Sequence, residues 1–335
     1  RRMKSISTLV LGATGSFAGG VIKELSRNHA VKQIGALVRD EDKAIRLFKK
    51  NGIEDNRVKV LFGDALNLSD LQHAAKQVFH QSDDIKVIVH GVNYPYDQWI
   101  PNMENVTRNV IQVAEEYPNS LIVFPGNVYS LKPEYDRPLT EEQPIEPLPE
   151  KGKLRMKLEN LLQESSSNVL VVRANDFFGP TVRNGLVDPV FEGVINHKRI
   201  FTCGNLDIPH EWVYIPDLAR ATVQLIQATL SQWPNCEKYQ VVHFKGYTHL
   251  TRREFASKAR EVYTDGKCKE VTMTSIPWFV FKGVGLITPL MSEIAEMRYL
   301  FDNTLILSDD RFKSMCPDFE PTPLDEALNE TLDSY

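Results

Sequence analysis

The sequence predicts an α/β fold, a doubly wound parallel sheet joined to a smaller, mostly helical C-terminal substrate-binding region. Two observations predict it. Short apolar runs alternate with helical patterns through the first half of the 335 residues. The first run, residues 6–11, enters the turn Gly12-Ala13-Thr14-Gly15-Ser16-Phe17-Ala18, after which Val21, Ile22 and Leu25 recur at helical spacing. A strand, a glycine turn and a helix N-terminus in that order make an anion site, because backbone N–H groups converge there with the helix dipole behind them. Gly12 allows the tight turn, and Gly15 keeps a Cβ away from a pyrophosphate. Ala18 and Gly19 are small enough to bring the helix against the strand, and Thr14 and Ser16 add hydroxyl donors.

The elements follow in order. A strand at 33–38 precedes a helix at 41–50, and a strand at 57–62 ends in Gly63-Asp64. A helix spans 68–79, with Asn67 or Ser69 as its cap, and a strand at 85–90 ends at Gly91. A helix at 103–117 is stopped by Pro118, and a strand at 121–124 ends at Pro125-Gly126. A proline-dotted loop covers 132–149, a helix 151–164 and a sixth strand 169–172. This is the Rossmann arrangement, whose ligands bind beyond the carboxyl ends of the strands. Residues 12–18, Arg39, Asp64, Ala65, His90, Gly91, Val92 and 125–129 are therefore expected on one rim.

The second half is less regular. It reads as a helix at 216–227, a strand at 239–243 and a helix at 251–263 with Thr251 and Glu254 as a capping box. An apolar, mostly helical stretch at 276–305 is broken by Gly283, Gly285 and Pro289. The expected division is a dinucleotide-binding domain at 3–180, with 211–245 returning to its core, and a substrate-binding lid at 181–210 and 246–335.

Arg39 ends the second strand, about twenty residues past the glycines, where such folds read the adenosine ribose. An acid there accepts from the 2′-hydroxyl of NAD, whereas an arginine offers a planar fork to the 2′-phosphate of NADP. Arg39 selects NADP, and Asp40 beside it keeps NAD as the alternative.

The bulk composition bounds the rest. A net charge of −5 gives no electrostatic case for nucleic acid. No run of eighteen apolar residues is present, so no membrane span is expected. Met3 is read as the start of the chain, with Arg1 and Arg2 as additions ahead of it. Cys203, Cys236, Cys268 and Cys316 are scattered without a CxxC, which suits reduced thiols in the cytoplasm and no structural zinc. The expected partner is a small molecule, and a homodimer is left open.

Taken together these residues resemble the extended short-chain dehydrogenase/reductases, the NAD-dependent epimerase/dehydratase family. Residues 12–18 match its nucleotide turn, and Gly63-Asp64 matches the acid that meets the adenine ring. Val128-Tyr129 follows the fifth strand as in the family. Arg173-Ala174-Asn175-Asp176-Phe177-Phe178-Gly179-Pro180 resembles its Arg-x-x-x-x-Tyr-Gly-Pro segment, where substrate and nicotinamide meet, so Arg173 is expected at the cofactor. His210-Glu211-Trp212-Val213-Tyr214-Ile215-Pro216-Asp217 resembles its late strand-to-helix motif.

The likeness fails where the chemistry belongs. The family uses a Tyr-x-x-x-Lys pair on the helix before the sixth strand and a Ser or Thr after the fifth. Aligned on Glu159, Lys151 stands at the tyrosine position and Arg155 at the lysine position, and Pro125 falls at the hydroxyl position. Arg155 supplies a fixed positive charge but never a base. Lys151 moves a proton only where its surroundings bring its pKa toward neutrality. Asn127 and Tyr129 stand within reach of a nicotinamide, with Tyr94, Tyr96, Asp176 and His210 as further polar candidates; Trp99, Trp212, Phe177 and Phe178 read as core or pocket wall. Lys198, Arg199, Arg252 and Arg253 read as surface charges that a substrate pyrophosphate could use. The expected function is an NADP-dependent oxidoreductase or epimerase with a remodelled site for a small polar or sugar-like substrate. The alternative is a non-catalytic NADP-binding sensor or scaffold.

Overall fold

A computed structural model describes residues 5–79, 85–133, 137–147, 149–184, 186–285 and 289–335. Met3 and parts of the 132–149 loop lie outside the described residues. The first half alternates as the apolar pattern requires: β1 (Ile6–Leu11), α1 (Ser16–Ser26), β2 (Val31–Val38), α2 (Glu41–Lys50), β3 (Val58–Phe62), α3 (Leu68–Val78) and β4 (Ile85–His90). Then come α4 (Trp99–Glu116), β5 (Ser120–Gly126), α5 (Glu150–Glu164) and β6 (Asn168–Arg173). Asp40 and Asn67 cap α2 and α3 by accepting from the backbone N–H of Lys43 and Ser69. Helix α4 begins four residues before the expected start, and Ile100 breaks its regularity with ψ 124° because Pro101 follows.

The second half contains β7 (Asp176–Phe178), α6 (Asp188–Ile195), β8 (Ile200–Cys203), β9 (Pro209–Tyr214), α7 (Ile215–Ser231), β10 (Tyr239–His243), β11 (Tyr247–Thr251), α8 (Arg252–Tyr263) and β12 (Met273–Ile276). It closes with α9 (Trp278–Gly285), α10 (Pro289–Glu296), α11 (Arg298–Asp302), α12 (Asp310–Met315) and α13 (Leu324–Leu332). Seven parallel strands form the main sheet in the order β10-β6-β5-β4-β1-β2-β3. β1 and β4 are buried along their whole length, and apolar residues dominate both, with Ser7, Thr8, Lys86 and His90 as buried polar exceptions. The strand order reverses between β1 and β4. A second sheet, β11-β9-β7, and the pair β12-β8 build the smaller region. The sequence pattern does not reveal β7, β8, β11 and β12, since strands of three to five residues carry too little alternation.

Helix α7 returns to the first half and lies against α1. A Cβ on Gly20 would stand 2.9 Å from Ala219 Cβ, so the two helices cross at close range only because one residue has no side chain. Helix α5 buries a polar stripe, with Lys151, Arg155 and Glu159 all 5% exposed or less. Their spacing of four puts them on one face. Glu159 pairs with Arg173 at 2.5 Å, and both side chains are almost fully buried. Arg173 also donates to His243 Nε2 at 3.1 Å, so Nδ1 carries the imidazole proton toward Leu139 O at 3.1 Å.

Removing one partner of a buried ion pair leaves an uncompensated charge. Glu159→Gln should cost about 3–5 kcal/mol of unfolding free energy by denaturant titration. The histidines set a pH dependence as well. Burial, aided by Arg155 and Arg173 respectively, lowers His90 and His243 to about 3 from an unfolded value near 6.5. The unfolded chain then binds more protons, so this contribution is complete above pH 6.5 and is lost as the pH falls toward 3. Buried Glu211, raised to about 8, acts in the opposite sense as the pH falls, so the histidine contribution is read by difference. Between pH 7 and pH 4 the parent should lose more unfolding free energy than a His90→Gln, His243→Gln variant, and identical profiles would contradict the buried, neutral state of both rings.

Candidate active site

The glycine turn sits where the strand order reverses. Gly12 has φ +66°, and a Cβ there would fall 2.4 Å from Gly91 O and 2.9 Å from Val92 N. Gly91 is equally constrained, since its Cβ would fall 2.7 Å from Ala18 Cβ and from Leu11 O. The ends of β1 and β4 and the first turn of α1 thus pack backbone to backbone. Gly15 is the N-cap of α1, contributes no side-chain cap, and has no acid in the turn behind it. The first N–H groups of the helix have no acceptor within the helix. Ser16 is engaged from another direction, donating its hydroxyl to Thr181 O at 2.7 Å, which brings the loop after β7 over the turn. Phe17 and Ala18 are buried, while Thr14 is exposed.

One side of the rim gathers Arg39, Asp64 and Tyr94. Arg39 is exposed, with its guanidinium 5.9 Å from the centre of the Tyr94 ring. Asp40 turns its carboxylate onto the start of α2, which leaves Arg39 as the residue of the pair that faces the rim. Asp64 closes its own turn by accepting from Leu66 N at 3.0 Å, and Ala65 accepts at its carbonyl from Asn109. Burial and the nearby Asp64 raise the Tyr94 hydroxyl above its ordinary pKa.

The opposite side of the rim is built from β4, β5 and α5. His90 is fully buried and meets Thr107 Oγ1 at 3.0 Å. Thr107 already donates to Met103 O, so His90 carries its proton on Nε2, and Nδ1 is a buried acceptor with no hydrogen-bond partner among the described residues. Arg155 donates to Pro125 O at the end of β5 and lies over Phe124, 4.5 Å from the ring centre, with Trp99 at 6.0 Å. Asn127 accepts from Tyr129 N at 3.1 Å and so forms the turn after β5. Tyr129 stacks on Trp99 with ring centres 6.2 Å apart, and its carbonyl accepts from the Tyr299 hydroxyl at 2.9 Å. A Cβ on Gly152 would fall 2.2 Å from that same carbonyl, so α5 meets the turn through a bare backbone.

Two features differ from expectation. Arg173, expected at the cofactor, is turned into the core, because Glu159 and His243 provide its charge and hydrogen-bond partners there. Lys151, expected to move a proton beside Arg155, is paired with Glu293 and with Glu296 at 3.0 Å. Glu296 also accepts from the backbone N–H of Glu150, so α10 caps α5. Sequence reasoning missed both carboxylates. The signal was two acids three residues apart within an otherwise apolar stretch. A cleft of about 570 Å³ adjoins this pair, lined by Pro149, Glu296, Tyr299 and Asn303 among others. Lys153 and Lys157 pair outward with Glu150 and Glu104. Among the described residues no group of three or more His, Cys, Asp or Glu could hold a metal ion, and no helix is long and apolar enough to cross a membrane.

A glycine turn at the reversal point of a parallel sheet, with an uncapped helix N-terminus behind it, defines a Rossmann-type dinucleotide-binding protein. The residues fit such a cofactor. The cradle excludes a Cβ at Gly12, no side chain caps the start of α1, and His90 Nδ1 is a buried acceptor with no partner among the described residues. Within that class the chain belongs to the NAD dependent epimerase/dehydratase family, which matches residues 8–236. No curated protein matches the chain.

Solved structures match over nearly all of it. WbmH of Bordetella bronchiseptica, in complex with NAD+, is 15% identical over 99% of this chain and 98% of its own, with a TM-score of 0.73. The UDP-glucuronic acid 4-epimerase of Bacillus cereus, with NAD, is 16% identical over 98% and 97%, with a TM-score of 0.70. The dTDP-glucose 4,6-dehydratase of Bacillus anthracis, also with NAD, is 16% identical over 99% and 96%, with a TM-score of 0.74. At that identity the likeness establishes the fold.

The two glycines of the turn should fail in different ways. Gly15 has φ −78°, and its Cβ would meet only Gly12 O, at 3.2 Å, so Gly15→Val should leave the fold intact and weaken binding of NAD and NADP alike. Gly12→Ala collides with backbone and should lower the melting temperature itself. Calorimetric titration of both cofactors beside thermal unfolding separates the two. Unchanged cofactor affinity in a folded Gly15→Val protein would make the turn purely structural.

Proposed function

We propose that this protein is an oxidoreductase or epimerase of small polar or sugar-like substrates, that it prefers NADP, and that its proton chemistry is remodelled around Lys151 and Arg155. The observation that supports this reading is the buried stripe on α5. Two cations are held against the rim at the positions where the family resemblance places a tyrosine and a lysine, at 4% and 5% exposure. Lone surface charges are seldom buried in this way.

When bound, the dinucleotide supplies hydride-transfer chemistry at its nicotinamide. The chain's residues do the rest. Gly15 and the start of α1 hold the pyrophosphate. Arg39 holds a 2′-phosphate with a planar fork of donors, and Asp64 faces the adenine. Arg155, fixed by Pro125 O and the Phe124 ring, holds the nicotinamide ribose and keeps a positive charge beside His90. Lys151 Nζ is the group placed to hold or pass a proton at a substrate oxygen, with Glu293 and Glu296 as its counter-charges. Trp99 and Tyr129 wall the site.

A second reading is favoured by the same ion pairs. Lys151 is already occupied by two carboxylates, and a binding protein without turnover would keep it so. Hydride transfer across a panel of alcohols, aldehydes and nucleotide sugars separates the two. Lys151→Met should abolish turnover with cofactor affinity nearly unchanged, whereas Arg155→Met should weaken the cofactor too. A parent protein that binds NADPH without ever oxidising it is a sensor or scaffold. Arg39→Asp should reverse the preference for NADP over NAD by about 1.5–3 kcal/mol. Equal affinities of the parent protein for both cofactors would refute the role of Arg39.

A further inference from the structure

Arg252, which the sequence pattern assigns to the surface, is 3% exposed. It opens α8. Its Nη1 donates to Cys203 O at 2.8 Å, and its guanidinium lies over the Phe301 ring at 4.5 Å. Its Nη2 is buried and has no hydrogen-bond partner among the described residues. Such an orphaned donor on a permanent cation is costly in a folded chain, and an acceptor from water or from a ligand removes that cost.

Two further groups stand with it. His210 is 6% exposed, packs edge-on to Trp212 at 4.7 Å, and meets Asp176 Oδ2 at 2.8 Å. Burial and the Arg252 charge push the His210 pKa down, so the neutral ring donates from Nε2 and Asp176 accepts. Asp176 alone of the three opens to solvent, with its side chain 24% exposed. Its charge acts favourably on Arg252, as does that of Asp302, whose carboxylate is taken by Trp278 and Arg298. The cluster adjoins the active site. Asp176 lies three residues beyond the end of β6, and Phe301 shares α11 with Tyr299, which bonds to Tyr129.

We propose that Asp176 is the specificity-determining residue of the substrate site, and that it keeps phosphate and diphosphate groups away from the unpaired donor of Arg252. The proposal rests on the small, sugar-like substrate of the preceding section and narrows it to a neutral, hydroxyl-bearing group. A hydroxyl both donates and accepts, so one ligand satisfies the outer oxygen of Asp176 and Nη2 of Arg252 together. The diphosphate of a nucleotide sugar, fully ionised at neutral pH, only accepts and meets the Asp176 carboxylate charge first. Specificity here comes from a repulsive element as much as from an attractive one. Substrates of the kind named for the Bacillus cereus structures, such as UDP-glucuronic acid, are therefore excluded at this subsite.

The test is calorimetric titration of UDP into the full chain saturated with NAD or NADP, so that the dinucleotide site is closed to it. The parent should bind UDP poorly. Asp176→Asn keeps the acceptor for His210 and removes the charge, and it should tighten UDP by about tenfold or more. Adding Arg252→Met to Asp176→Asn should erase that gain, and uridine, which lacks the diphosphate, should show no gain in Asp176→Asn, which covers the event that the double variant does not fold. An affinity for UDP that is the same in parent and Asp176→Asn, tight or absent, overturns the proposal. A gain that survives loss of Arg252, or that uridine shares, overturns it too. The readout needs no turnover, so failure of hydride transfer and failure of this inference are separate results.

Discussion

The buried pair of Glu159 and Arg173 is the interaction on which the candidate site depends. Helix α5 has a weakly amphipathic sequence, and its site-facing stripe is charged rather than apolar. Hydrophobic burial therefore does little to define its rotation. The ion pair does, because Glu159 has one favourable position opposite the end of β6, where Arg173 and His243 wait. With Glu159 seated, the spacing of four brings Arg155 to Pro125 and Lys151 to the mouth of the site. The bare backbone of Gly152 against Tyr129 O then lets the helix approach the turn after β5. A charged core contact of this kind contributes little net stability but penalises every other arrangement.

Charge balance around the site follows from the same packing. Arg155 and Lys151 bring two cations under a roof that α10 and α11 supply, and Glu293 and Glu296 supply the matching anions. The C-terminal region thus completes the site electrostatically as well as sterically, since Glu296 also satisfies the N-terminal N–H of Glu150. The same region carries Phe301 to Arg252 and Tyr299 to Tyr129, so one short helix links the turn after β5 to the Asp176 cluster.

Much of this was legible in the sequence. The runs of β1 and β4 read as strands because strands buried on both faces are mostly apolar, and the turn at Gly12 and Gly15 read as an anion site because its geometry is local. The capping box of Thr251 and Glu254 is likewise local and is present. Strands β7, β8, β11 and β12 were not legible, because their residues are shared out by pairing with distant segments. Arg252 was read as a surface charge since its type favours exposure, and the capping box next to it says nothing about where the following side chain points. Arg173 was placed at the cofactor by likeness of motif, yet β6 ends with that side chain beside Glu159 and His243.

The sequence by itself determined the alternation of strands and helices, the glycine turn with its open helix N-terminus, and the spacing that sets Lys151, Arg155 and Glu159 on one face. Each of these is a property of neighbours within a few residues, where backbone sterics and periodicity leave little choice. The tertiary structure alone decided which charges meet. Glu296 reaches Lys151 across 145 residues and His210 reaches Asp176 across 34. It also decided that β10 joins the main sheet beside β6 while β9 leaves for the smaller one. Such pairings depend on burial and on distances between segments remote in the chain, and a carboxylate reads the same in sequence whether it faces water or a buried cation.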